Sequence, residues 1–124
     1  DRSVSALLDD LADTGRLRDT LVIVTGEFGR TPRINPDAGR DHWGPVMSVL
    51  MFGGGIRGGI THGQSDQWGY KPADRSNVTE VYDIHATILH LLGLDPNGLT
   101  YFFNGLDQKL VGTEGAEPIH EVIA

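Results

Sequence analysis

The chain has 124 residues, 39% hydrophobic and 22% charged, a balance that suits one globular domain or part of one and argues against a disordered tract. Its formal charge of −7 and the lack of any basic run exclude a surface built for nonspecific contact with nucleic acid or anionic lipid, since both demand clustered Lys and Arg. Without cysteine there is neither a disulfide framework nor a thiolate metal site, and the longest apolar stretch, Val46 to Phe52 with Ser48 inside it, is far too short to span a bilayer.

An amphipathic pattern begins almost at Asp1, with no initiator Met or targeting leader before it, so the chain is expected to be a segment of a longer parent. Val4, Leu7, Leu8 and Leu11 fall at helical spacing and predict a helix near residues 4 to 14, with Ser3 as its N-cap and a left-handed Gly15 as its terminator. Thr20 to Thr25 is a continuous, mostly β-branched run, the pattern of a strand buried on both faces. A helix feeding such a strand predicts an open α/β sheet. From Gly26 to Pro45 the sequence is polar, aperiodic and rich in Gly and Pro, and a loop of that length inside a compact domain usually carries function. Val46 to Phe52 predicts a second buried strand, closed by a tight turn through Gly53 to Gly59, with Ile60 to His62 as a short return strand. Residues 63 to 76 read as loop. Val81, Ile84, Ile88, Leu91 and Leu92 form one apolar stripe ended by Gly93, which predicts a helix near residues 80 to 92. Its start is set either by a capping box of Asn77 with Glu80 or by Asp83 capping a shorter helix. Beyond Asp95 the chain is turn-rich, with apolar clusters at Tyr101-Phe102-Phe103 and Leu110-Val111, and Pro118 can open a last helical turn through Ile123.

Two clusters in the polar loop carry chemistry. In Gly26-Glu27-Phe28-Gly29-Arg30-Thr31, Glu27 projects a carboxylate just past a buried strand and Arg30 offers a planar fork suited to phosphate or sulfate; the alternative is a strand-end turn with a solvated ion pair. In Gly39-Arg40-Asp41-His42-Trp43-Gly44, His42 can bind a metal while Asp41 ligates beside it or orients its ring; the alternative is that Asp41 caps loop amides and His42 packs beside Trp43. His85, at the edge of the apolar stripe, and His90, nearly opposite it, read as partly packed and exposed residues. His62 with Asp66 reads mainly as exposed loop, His120 has no context, and Trp68, Tyr70 and Lys71 either line a substrate mouth or seal their own loop.

The order of these parts resembles the C-terminal region of the alkaline phosphatase and sulfatase superfamily of metal-dependent hydrolases. There, a buried strand ends in an acidic motif, a later His precedes a strand running into a glycine-rich turn, and a helix ending in Leu-Leu-Gly follows. A closer likeness, over nearly the whole chain, is to an uncharacterised sulfatase-like bacterial family with strings similar to Gly26-Glu27-Phe28-Gly29-Arg30-Thr31-Pro32, Gly39-Arg40-Asp41-His42 and Gly58 to Asp66. The resemblance implies an alkaline-phosphatase-like, mainly parallel sheet flanked by helices, with residues 1–124 as the C-terminal portion of one domain. It implies Glu27 and His42 as ligands of a divalent cation, zinc or calcium, facing one crevice. Asp41 would support them, and Arg30 or Arg40 would hold the anion of a small sulfate or phosphate ester. It also implies export through a twin-arginine leader. Phe28 departs from the pattern, because many superfamily enzymes have another metal-ligating His there. The nucleophile belongs to a more N-terminal region, so this chain is expected to be catalytically incomplete without the rest of its parent. The competing expectation is a non-catalytic descendant that keeps the fold for binding or envelope assembly.

Overall fold

The computed structural model describes residues 2–76 and 78–124, organised as two compact units, Asp1–Val78 and Thr79–Ala124. In the first unit, α1 (Arg2–Asp13) matches the predicted helix to within two residues at its start and one at its end, so Ser3 lies inside the helix rather than capping it. Gly15 takes φ +72° and its N–H bonds to the Ala12 carbonyl at 3.0 Å, the predicted left-handed stop. Four strands follow: β1 (Val22–Thr25), β2 (Gly29–Arg30), β3 (His42–Trp43) and β4 (Val49–Phe52).

Each run read as a buried strand contains a strand, though only over its last four residues, and the mixed helix-and-strand class holds. Their pairing differs from expectation: β1 and β4 run antiparallel, Val22 opposite Phe52 and Thr25 opposite Val49, and no parallel pair occurs among the described residues. The connection explains this, because parallel neighbours need a crossover, usually helical, whereas residues 26 to 48 contain only the small β2–β3 ribbon and simply turn the chain back. Two strands also leave their faces uncovered. Val22, Ile23 and Val24 are half-buried and Leu50 is 55% exposed, where burial on both faces was expected.

The glycine run after β4 is required by close approach. Gly54 N–H donates to the Leu17 carbonyl at 2.9 Å, and a Cβ on Gly53 or Gly54 would collide with the backbone of Leu17, Thr20 or Leu21. Residues 60 to 62 form no strand; the regular pairing in this region is an isolated antiparallel bridge between Ser65 and Pro72. No helix of the described residues is long and apolar enough to cross a membrane.

In the second unit, α2 (Val81–Leu91) starts at Glu80, whose N–H bonds Asp83 Oδ2 at 2.8 Å in a reciprocal capping box. Glu80 and Asp83 thus share the role that was divided between two alternatives, and Asn77 lies outside the described residues. Gly93, at φ +76°, ends the helix in a Schellman arrangement: Leu94 N–H reaches the Leu89 carbonyl at 2.9 Å and Gly93 N–H that of His90 at 2.9 Å. The buried face matches the predicted stripe only in part: Ile84, Ile88 and Leu91 are half-buried rather than buried. Ala86, Thr87 and Leu89 are buried with Val111 and Ala116, while Val81 is 51% and Leu92 68% exposed. Asn104 and Gly105, both at positive φ, join β5 (Thr100–Phe103) to β6 (Leu106–Lys109) in a hairpin that leaves all of β5 exposed.

Candidate functional site

The two polar clusters meet across the β2–β3 ribbon, which sets Arg30 opposite His42 and Gly29 opposite Trp43. Gly29 admits no side chain, since a Cβ there would overlap the Val46 carbonyl oxygen and come within 2.6 Å of that of Trp43. That close approach holds the ribbon against the Val46 backbone, three residues before β4. Phe28 stacks on His42, ring centroids 4.7 Å apart and planes at 23°. Glu27 therefore stands one residue from the ring that covers His42. Glu27, Arg30 and His42 are all exposed, and their side chains form no hydrogen bond or ion pair with the described residues.

The loop between β2 and β3 is braced from within. Thr31 and Asp41 exchange two bonds, Thr31 N–H to the Asp41 carbonyl at 3.0 Å and Asp41 N–H to Thr31 Oγ1 at 3.1 Å. Asn35 Oδ1 accepts from the N–H groups of Asp37 and Gly39, at 3.1 and 2.9 Å, folding the tip into a turn that carries Ala38 at φ +58°. Asn35 Nδ2 donates to Asp41 Oδ1 at 2.9 Å, so the Asp41 carboxylate is engaged by the loop and not by His42. Arg40 donates from one terminal nitrogen to the carbonyls of Thr31, at 2.8 Å, and Pro32. Of the two arginines expected to meet an anion, Arg40 serves the loop and Arg30 stays available. A cavity of about 300 Å³ opens beside this brace, lined by Thr31, Arg33, Ile34, Asn35, Asp41 and Tyr70 among others.

A second loop locks onto the first. Asp66 Oδ1 accepts from Trp68 N–H at 3.2 Å and Tyr70 N–H at 2.9 Å, and Asp66 N–H reaches the Lys71 carbonyl at 2.8 Å. The Tyr70 amide, helped by those of Trp68 and Lys71 and by the Lys71 charge, holds the Asp66 carboxyl below its ordinary range against a smaller opposing desolvation. Trp43 Nε1–H then donates to the Tyr70 carbonyl at 2.6 Å, and the two rings meet edge to face at 5.6 Å. Asp66 thus acts as a loop organiser. Tyr70 seals the seam with Trp43, whereas Trp68 is 67% exposed.

The family model described as "Protein of unknown function (DUF1501)" matches residues 1–123. The chain belongs to this family. No curated protein and no solved structure matches it.

The donors for a cation can be counted in this DUF1501 chain. Glu27 and His42 supply one carboxylate and one imidazole, and among the described residues no group of three His, Asp or Glu converges. A zinc centre takes three or four protein ligands, so these residues do not complete one, and the ring against His42 belongs to Phe28, which has no lone pair to offer. Sequence reasoning had no means to find the Asn35–Asp41 and Phe28–His42 contacts, which depend on ribbon register. The Asp66 turn carried a local signal, an acidic residue followed by Gly69, that pointed to an Asx-type loop.

Proposed function

We propose that the parent protein hydrolyses small sulfate or phosphate esters and that this chain supplies one wall of the site. Glu27 and His42 would be two ligands of a divalent cation, zinc or calcium, whose other donors come from the rest of the parent chain. Arg30 would hold the ester's anionic oxygens. The observation that carries the reading is the contact between residues 28 and 42: the position where the superfamily has a second imidazole lies directly against the expected ligand His42. Support also comes from the Arg30 guanidinium, exposed on the ribbon opposite His42, and from the Glu27 carboxylate, exposed two residues before the ribbon. The finer fold reading, a mainly parallel sulfatase-like sheet, is part of this proposal, since otherwise parallel sheets often carry an antiparallel edge strand such as the β1–β4 pairing would provide.

The test uses the full-length parent, assayed on aryl sulfates and aryl phosphates with its metal content measured. Stoichiometric cation is expected, and Glu27→Gln and His42→Ala should each lower kcat/KM by roughly a hundredfold or more, since even residues behind metal ligands cost 10 to 100-fold. Phe28 favours the second reading, a non-catalytic descendant. Absence of stoichiometric metal, with the protein's cellular role surviving His42→Ala, would decide for that reading.

A further inference from the structure

The same three residues, Asn-Gly-Leu, occur twice in the second unit, at Asn97-Gly98-Leu99 and at Asn104-Gly105-Leu106. The fold treats them differently. Asn97 is half-buried, and both ends of its side-chain amide are held by one residue: Nδ2 donates to the Ala116 carbonyl at 3.0 Å and Oδ1 accepts from Ala116 N–H at 3.3 Å. Ala116 is itself buried in the core cluster with Val111. Asn104 and Gly105 are instead the two exposed residues at the tip of the β5–β6 hairpin, at φ +50° and +81°, and no described residue hydrogen-bonds the Asn104 amide. The flanking Phe103 and Leu106 are 58% and 65% exposed, so the second unit gives this tip little packing.

We propose that Asn104 is a site of spontaneous deamidation, and that Asn97, the same step in sequence, is protected by the fold. In the reaction the Gly105 backbone nitrogen gives its proton to hydroxide or a buffer base and attacks Asn104 Cγ. A carbon–nitrogen bond forms, the side-chain nitrogen leaves as ammonia with a proton returned by the base, and residues 104 and 105 share a succinimide ring. Water then adds to either ring carbonyl and opens it. One opening gives aspartate; the other gives isoaspartate, with the backbone running through the former side chain. Water is the only co-reactant. The attacking nitrogen is accessible because glycine has no Cβ to crowd it, and closure is intramolecular, so the rate follows how freely residue 104 turns Cγ toward that nitrogen. At the hairpin tip this motion breaks no side-chain hydrogen bond, whereas at Asn97 both bonds to Ala116 must open first. Either product adds a negative charge to a chain that carries −7. Aspartate tolerates the left-handed backbone and keeps the turn. Isoaspartate lengthens the backbone by one methylene and so disturbs the register that sets Tyr101 opposite Gln108 and Phe102 opposite Asp107. This inference is independent of the roles proposed for Glu27 and His42.

The experiment incubates the full-length protein at mildly alkaline pH, folded and, separately, in denaturant, with samples digested by pepsin in acid and mapped by mass spectrometry. In denaturant the two Asn-Gly-Leu steps should convert at similar rates. In the folded protein Asn104 should convert roughly tenfold faster than Asn97 or more, its peptide showing the mass gain that replacing NH₂ by OH brings. The aged peptide should also accept labelled methyl from an isoaspartyl methyltransferase, and amide exchange across β5 and β6 should accelerate in the isoaspartate fraction. Asn104→Gly, which keeps a turn at ease with positive φ, should remove the methyl-accepting site and leave exchange in the hairpin unchanged with age. Folded-state conversion at Asn104 no faster than at Asn97, while both react in denaturant, overturns the proposal, because the tip is then held as firmly as the Ala116 contact holds Asn97. An Asn104 that is unreactive even in denaturant overturns it as well.

Discussion

A phenyl ring lying flat on an imidazole gives dispersion and shields one face, but it adds no donor. At residue scale, the proposed cation site is therefore one substitution away from holding a second imidazole, because position 28 already touches His42. Phe28→His in the full-length protein should raise zinc affinity at least tenfold over the unsubstituted protein, read by calorimetry. An unchanged affinity would mean that side chain 28 does not face the cation, and the ligand role of His42 would fall with it. Asp66 permits a test by pH. Its folded pKa lies below the ordinary carboxylate value, so the stabilisation is fully present above about pH 4 and is lost as the pH falls through the lower, folded value. Amide exchange at Trp68 and Tyr70 should stay slow down to about pH 4 and accelerate below it beyond the intrinsic trend. Asp66→Ala should remove both the protection and its acid dependence. Asp66→Asn should keep part of the protection, because both bonds end on Oδ1, an acceptor that Asn retains.

At the scale of elements, Thr87 joins α2 to the C-terminal segment. It is completely buried, donates to the Asp83 carbonyl at 2.7 Å and accepts from Ile119 N–H at 2.9 Å. Thr87→Val keeps the shape and leaves the Ile119 amide without its partner, so it should cost about 1–3 kcal/mol in denaturant unfolding, with faster exchange at Ile119 as the local signature. A loss below a few tenths would show that the segment is held by packing alone. The same helix marks how far sequence reasoning reached. Its bounds were legible because Glu80, Asp83 and Gly93 are local signals that act within a turn. Its buried face was not, because Val111 and Ala116, distant in sequence, choose Ala86, Thr87 and Leu89 over the wider stripe. The β5–β6 hairpin was legible and missed: Asn104-Gly105 is a strong two-residue turn signal, obscured by reading Tyr101 to Phe103 as an apolar cluster alone. The β2–β3 ribbon was not legible, since strands of two residues have no periodicity to detect. Hence the candidate site residues could be named from sequence while their partners could not.

At the scale of the whole molecule, burial is unequally shared. All the buried hydrophobic residues, Ala86, Leu89, Val111 and Ala116, belong to the second unit, and no described residue of the first unit is fully buried. The first unit relies on the half-buried β1–β4 pair, the glycine turn at Leu17 and the Asp66–Tyr70–Trp43 lock, interactions that leave much backbone open to water. Local stability follows buried apolar contact, so opening free energies should differ between the units. In the isolated 124-residue chain, amide exchange of α2 and residues 111–119 should be slower than that of β1 and β4 at the same pH and temperature. The chain should also bind a hydrophobic dye, through exposed residues such as Leu50, Phe102, Phe103 and Leu106. On the proposed reading, in which further elements of a longer protein cover the faces that two strands leave bare, β1 and β4 should gain protection in that protein to match α2. Equal protection of β1, β4 and α2 in the isolated chain would refute this ordering. It would mean that the hydrogen-bonded loops stabilise the first unit as well as a hydrophobic core stabilises the second.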